Sequence, residues 1–194
     1  MIALKDVRKV LELTGGENIC RRYFITQGFD GALTALGIVL GAFLVKTPAA
    51  VIALMGVGAS IALGISGFWI VFLTERAERT RDIKELETHL ITDLANTRLT
   101  RANFIVSLII STVNLSPMFF SLIALLPFFF FGFGLYSLQT AYIISFILIF
   151  IEVVVLGGLL GAISKENKLL YILKIIPAAI LIAVFTISID LITP

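Results

Sequence analysis

Apolar residues dominate five stretches of the sequence, and each stretch is long enough to cross a lipid bilayer as a helix. The stretches are residues 23–45, 49–73, 102–126, 138–163 and 169–191. A membrane-spanning helix needs about 20 mainly apolar residues. Short polar or turn-forming segments separate most of them, among them residues 46–48 and 132–137. The pattern predicts an all-α membrane protein with five transmembrane helices.

The distribution of basic residues predicts the orientation of these spans. Fourteen of the fifteen Lys and Arg residues lie at the N-terminus, between the second and third spans, or at the junction of the fourth and fifth. Only Lys46 lies in a segment on the opposite side. Because Lys and Arg accumulate in cytoplasmic loops, we expect the N-terminus inside and the C-terminus outside.

A charged stretch follows the second span, and it contains no Gly or Pro. We therefore expect the second helix to continue out of the bilayer, as a cytoplasmic helical extension over residues 75–101. Residues 1–22 form a separate cytoplasmic segment before the membrane domain of residues 23–194. Apolar positions within it favour a short helix on the membrane surface.

The composition agrees with a bilayer as solvent. Hydrophobic residues make up 59% of the chain and charged residues 14%. A soluble domain of this size does not bury so much apolar surface. The net charge of +2 is too small to indicate a nucleic-acid partner, and Cys20, the one cysteine, excludes a disulfide within these residues. We expect a prokaryotic plasma membrane.

Acidic residues in the charged stretch recur at helical spacing. At about 100° per residue, they and the one histidine fall within an arc of about 80° on one helix face. The aligned residues are Glu75, Glu78, Asp82, Glu85, His89 and Asp93. Carboxylates with one imidazole suit Mn²⁺, Fe²⁺ or Zn²⁺. A solvated face with i,i+4 ion pairs is the other interpretation, with Arg79 pairing Glu75 and Arg81 pairing Glu85.

Polar residues inside the predicted spans form a second group of candidates. Asp30 lies in the first span, Glu152 midway along the fourth, and Asn114 in the NLSP sequence of the third. Ionisable groups at this depth are costly and mark functional sites. Pro117 removes a helix hydrogen bond and leaves a carbonyl free near Asn114.

Small residues four positions apart occur in the first two spans. Gly37 and Gly41 form one pair, and Gly56, Ser60 and Gly64 form a series. Such spacing lets helix backbones approach closely in lipid. Packing inside one subunit and a dimer contact are both consistent with it.

The sequence carries no enzyme signature. One histidine excludes the HExxH pattern, and neither a GxSxG elbow nor a Walker loop is present. We therefore expect a protein that is not an enzyme.

Three segments resemble the vacuolar iron transporter family in order and spacing. They are RRYFITQGFDGALTALGIVLGAF, GISGFWIVFLTERAERTRDIKELE and VNLSPMFFSLIALLPF. The Asp-Gly pair of the first segment matches the family's first span, and its aspartate is Asp30. Glu75 and Glu78 match the glutamates where the family's second span emerges. Two features differ from the plant members of the family. The segment ALGISG lacks the methionine that plant members have in the second span, and most of the large cytoplasmic metal-binding domain after that span is missing.

The resemblance implies a homodimer that exports Fe²⁺ or Mn²⁺ from the cytosol in exchange for protons. The resemblance makes Asp30, Glu75 and Glu78 predicted metal-contacting residues, and the helical alignment of the acids adds Asp82, Glu85 and His89. Glu152 and Asn114, as polar residues of the spans, are predicted to lie on the ion or proton path. The metal is the transported ion, and no tightly bound cofactor is expected. The alternative is a membrane-embedded protein that binds, sequesters or senses metal without moving it.

Overall fold

The computed structural model describes residues 16–91 and 97–192, and these residues form six helices without a strand. The helices are α1 (Gly16–Leu44), α2 (Ala49–Leu90), α3 (Arg98–Val113), α4 (Ser116–Phe131), α5 (Leu138–Ser164) and α6 (Lys168–Ile192). The expected surface helix near the N-terminus falls largely outside the described residues, as does Asp93.

Five helical stretches are long and apolar enough to cross a membrane. They are Gly16–Leu44, Ala49–Leu90, Thr100–Phe131, Leu138–Ser164 and Lys168–Ile192. Large apolar side chains such as Trp69, Phe150 and Phe185 lie exposed on their outer faces, as expected for contact with lipid. The prediction of an all-helical protein with five helices able to span a membrane is confirmed for the described residues.

The second span continues well beyond its apolar part. Helix α2 runs without interruption from Ala49 to Leu90 and carries most of the charged stretch. It ends before Ile91, whose φ of 52° lies in the left-handed region. Within the predicted extension 75–101, a separate helix, α3, begins at Arg98. Thr97 caps it, because its hydroxyl accepts a hydrogen bond from the backbone N–H of Thr100.

The third span is broken in two. Helix α3 ends at Val113 and α4 begins at Ser116. Pro117 has no N–H to donate to the carbonyl of Val113, so the helical ladder stops there. The second proline of the span has no such effect, because α4 continues through Pro127 to Phe131. The span therefore runs on past Pro127.

The chain divides into two compact units, and the first combines the residues up to Phe24 with Gly64–Leu115. Its core is a small apolar cluster of α2 and α3 residues, Val71, Val106 and Ile110. Partly buried residues near the start of α1, including Tyr23, pack against this cluster. This unit contains the charged half of α2.

The second unit combines Ile25–Leu63 with Ser116–Pro194. Within it, α5 packs against both α4 and α6. Its larger core includes Val39, Leu125, Phe128, Ile149 and Val153. Polar contacts are also buried: the Ser60 and Ser121 hydroxyl oxygens lie 2.7 Å apart. This unit contains Asp30 and Glu152.

Glycines set the spacing between helices of the second unit. A Cβ added at Gly31 would lie 2.7 Å from Pro117 Cα and closer still to the Pro117 carbonyl oxygen. Gly37 and Gly41 face Ile182 and Thr186 of α6, each at 4.0 Å from such a Cβ. The Gly37–Gly41 pair therefore packs inside the subunit, which favours the first of the two interpretations of this motif.

We predict that Gly31→Ala destabilises the protein, because its methyl group overlaps the backbone of α4 and forces α1 away. Overpacking of this kind costs about 1–3 kcal/mol. Gly58→Ala is the matched control, since nothing lies within 4 Å of a Cβ at Gly58. Thermal unfolding in detergent checks the pair; equal transition temperatures for the two variants would contradict the packing described here.

Candidate site in the membrane spans

Glu152 is a buried carboxyl group in the middle of a membrane span. Its exposed fraction is 7%, and it lies on α5. Neither Oε1 nor Oε2 has a hydrogen-bond partner among the residues that the structure describes. A carboxylate removed from water without a donor or counter-ion is strongly unfavourable. The site is therefore suited to a proton or a cation.

Glycines of α1 contact both α5 and α4 within the second unit. Leu156 lies one turn after Glu152 along α5, and it would contact a Cβ at Gly28 of α1 at 3.1 Å. Gly31 of α1 abuts Pro117 at the start of α4. Ser116, the first residue of α4, has a buried hydroxyl oxygen without a partner among the described residues. Polar groups that lack partners thus occur on both α4 and α5.

Asn114 forms a polar contact in the first unit, at the point where α3 ends. Its side-chain Nδ2 donates to the Gly67 carbonyl oxygen at 2.7 Å, and the residue is fully buried. Gly67 permits this approach, since an added Cβ would lie 2.9 Å from the Asn114 backbone oxygen. The Oδ1 atom has no partner among the described residues. Asn114 therefore fixes the helix end and leaves one acceptor unused.

Asp30 lies on an exposed face of α1, although its sequence neighbours Gly31 and Ala32 are buried. It therefore projects away from the core of its unit. In an apolar span, an outward carboxyl group faces hydrocarbon unless another molecule covers it. The structure does not gather Asp30 with other candidate ligands.

The acidic residues of α2 do not share one environment. Glu75 is buried and pairs with Arg79, with 3.3 Å between Oε2 and Nη2. Glu78, Asp82, Glu85 and His89 are exposed. Arg81 lies 3.3 Å from Glu85 through its Nε. The predicted pairs of Arg79 with Glu75 and of Arg81 with Glu85 are confirmed.

No metal centre is preformed within residues 16–91 and 97–192. No three side chains of His, Cys, Asp or Glu in these ranges converge closely enough to hold an ion. The exposed acids of α2 alternate with exposed basic residues, and Arg81 lies close to both Asp82 and Glu85. Asn103 and Arg76 were not singled out from the sequence, yet both line a cavity of the first unit. A signal for Asn103 was present, since Asn103, Ser107 and Ser111 share one face of α3 with Asn114 just after it, whereas nothing in the sequence singled out Arg76.

Comparison with known proteins gives one relative and no assigned activity. The chain is 27% identical over 193 residues to the uncharacterized protein MJ0645 of Methanocaldococcus jannaschii, covering 96% of each chain. No family model and no solved structure matches. The buried oxygens of the spans therefore remain the guide to function.

We predict that Glu75→Ala destabilises the protein much more than Glu85→Ala. The first variant leaves Arg79, whose side chain is only 13% exposed, without its counter-ion. Breaking a buried pair costs about 3–5 kcal/mol, whereas an exposed pair contributes about 0–1 kcal/mol. Unfolding in detergent measures the difference. Similar losses in the two variants would show that Glu75 is not held in the interior.

Proposed function

We propose that the protein is a transporter that moves a divalent transition metal ion, Fe²⁺ or Mn²⁺, out of the cytosol in exchange for protons. The observation that carries the proposal is Glu152, a buried carboxyl group of a membrane helix with both oxygens unpartnered among the described residues. A group of this kind is costly unless it binds a proton or a cation during the working cycle. A transport cycle supplies both.

The chemistry of the unpartnered atoms favours a cation over an anion as the substrate. Carboxylate oxygens accept and do not donate, and both unpartnered atoms of Glu152 are of this kind. Oxygen-rich ligand sets suit hard and borderline ions such as Mn²⁺. The choice of Fe²⁺ or Mn²⁺ rests on the resemblance to the vacuolar iron transporters.

The break in the third span supports transport further. Transporters commonly use discontinuous helices near the middle of the membrane, because the free backbone groups at the break bind ions. Here the break lies between Val113 and Ser116, within the apolar stretch Thr100–Phe131. We assign Asn114 to the ion path on this basis.

A second copy of the chain accounts for Asp30. The carboxyl group is exposed on a helix that is apolar enough to lie in lipid. A homodimer that covers this face of α1 removes Asp30 from hydrocarbon and places two copies near one axis. We propose this arrangement, with Asp30 as a metal ligand of the transport path.

We propose that the exposed acids of α2 act on the metal ion before it enters the membrane. Glu78, Asp82 and Glu85 with His89 lie on the charged part of α2, and we propose a cytoplasmic position for it because Lys and Arg accumulate on that side. Exposed carboxylates attract cations from the surrounding solution. Glu75 is buried in its ion pair with Arg79. Glu85 is paired with Arg81 at the surface, so a metal ion competes with Arg81 for Glu85. We propose that the exposed acids attract metal in a prokaryotic plasma membrane.

We predict that reconstituted protein carries Mn²⁺ or Fe²⁺ into liposomes when a pH gradient is imposed. Glu152→Gln keeps the shape of the side chain but cannot release a proton, so the gradient should no longer drive flux. Asp30→Asn should lower the flux itself at least tenfold. A metal-sensitive dye inside the vesicles measures both.

Glu166→Gln serves as the control, because Glu166 is exposed between α5 and α6, outside the spans. It should transport at the wild-type rate. Elution as a single folded species must be shown for every variant. Unchanged, gradient-driven flux in both Glu152→Gln and Asp30→Asn would contradict the proposal. Metal binding without any flux in the wild type would instead favour a sequestering or sensing protein.

A further inference from the structure

A cavity of ≈ 140 Å³ lies in the first unit, between the charged half of α2 and the first turns of α3. It is smaller than the pockets of about 300–1,000 Å³ that bury drug-sized ligands. Its lining includes Arg76, Arg79, Thr80, Thr100, Asn103 and Phe104. The cavity therefore fits a small polar group.

The charge of the cavity wall is positive. Arg76 and Arg79 both line it, and the lining contains no acidic residue. Arg79 is partly neutralised, because its Nη2 contacts Glu75. Arg76 has no carboxylate partner among the described residues, and its guanidinium lies over the Phe104 ring at 5.8 Å from the centroid. Stacking on a ring leaves the N–H groups of a guanidinium available to an anion.

One further donor of the wall lacks an acceptor. Arg79 Nε is buried and has no hydrogen-bond partner within the described part of the chain. A buried donor without an acceptor is costly. Asn103 also lines the cavity and is only partly buried, and a side-chain amide can donate to a group bound there. An oxygen-rich anion supplies the missing acceptor.

The cavity lies where the apolar part of α2 gives way to charge. Aromatic residues precede it on α2, where Phe72 contacts both Trp69 and Phe104 in edge or tilted geometry. Arg76 follows one turn later. Aromatic rings followed by basic side chains are typical of the membrane–water boundary, where lipid phosphates lie.

We propose that this cavity binds a phosphate group. The fork of Arg76 holds two phosphate oxygens, and the Asn103 amide donates to a third. Guanidinium groups match phosphate geometry through paired, charge-assisted hydrogen bonds. Two arginines repel a metal cation, so this site is separate from the proposed metal path and does not depend on it. The phosphate comes from an anionic lipid headgroup or from free orthophosphate.

Purified protein in detergent is titrated with short-chain phosphatidylglycerol and, separately, with orthophosphate at constant ionic strength. Binding is followed by native mass spectrometry and by thermal unfolding. We expect Arg76→Gln to weaken binding about tenfold, which corresponds to about 1.4 kcal/mol. Arg76→Lys keeps the positive charge but not the forked guanidinium group, and it should weaken binding less than Arg76→Gln does. Lys84→Gln is the matched control: it removes one charge from an exposed position of the same helix, outside the cavity wall.

The two titrations distinguish the sources of phosphate. If Arg76→Gln weakens binding of the lipid alone, the cavity is a site for a lipid headgroup. If Arg76→Gln weakens binding of orthophosphate, the cavity is a site for the free ion. Asn103→Leu provides a second test that keeps both arginines, and it should also weaken binding by filling the cavity. The proposal is overturned if neither ligand binds, or if both bind equally to Lys84→Gln, Arg76→Gln and Asn103→Leu.

Discussion

The hydrocarbon of a bilayer offers no hydrogen bonds, and this constraint governs every polar group that the spans of this protein carry. Several of the buried hydroxyl groups meet it within their own helix or across a helix contact. Ser111 donates to the Ser107 carbonyl oxygen within α3, and Ser60 contacts both the Gly56 carbonyl and Ser121. Glu152 is different, because both of its oxygens are without a partner among the described residues. An ion or a proton is the natural partner for such a group.

Small residues and one proline create the setting in which these polar groups lie. Gly31 lets α1 approach the start of α4, and Gly67 lets α2 approach the end of α3. Pro117 separates α3 from α4 and so frees backbone groups inside the span. Gly157 and Gly161 allow a similarly close approach between α5 and α6. The charged half of α2 is organised by other forces, namely a buried ion pair at Glu75 and exposed pairs beyond it.

Hydrophobic length and helix periodicity were sufficient to predict much of the fold. The five spans, the continuation of α2 past its apolar part and the pairs of Arg79 and Arg81 all follow from local sequence. The environment of each acidic residue of α2 does not follow from local sequence. Glu75 and Asp82 fall within about 20° of each other on the helix face, yet one is buried and the other exposed. That difference comes from tertiary packing around Glu75, which periodicity cannot indicate. The cavity at Arg76 and Asn103 was missed for the same reason.

If Glu152 exchanges a proton for a metal ion, metal binding must release protons from the protein. Mn²⁺ is added to the purified protein in weakly buffered detergent solution, and a pH indicator counts the protons released per bound ion. We expect release from the wild type and clearly less release from Glu152→Gln at equal metal occupancy. Equal release from the two proteins, or metal binding without any release, would show that Glu152 does not exchange a proton for the metal.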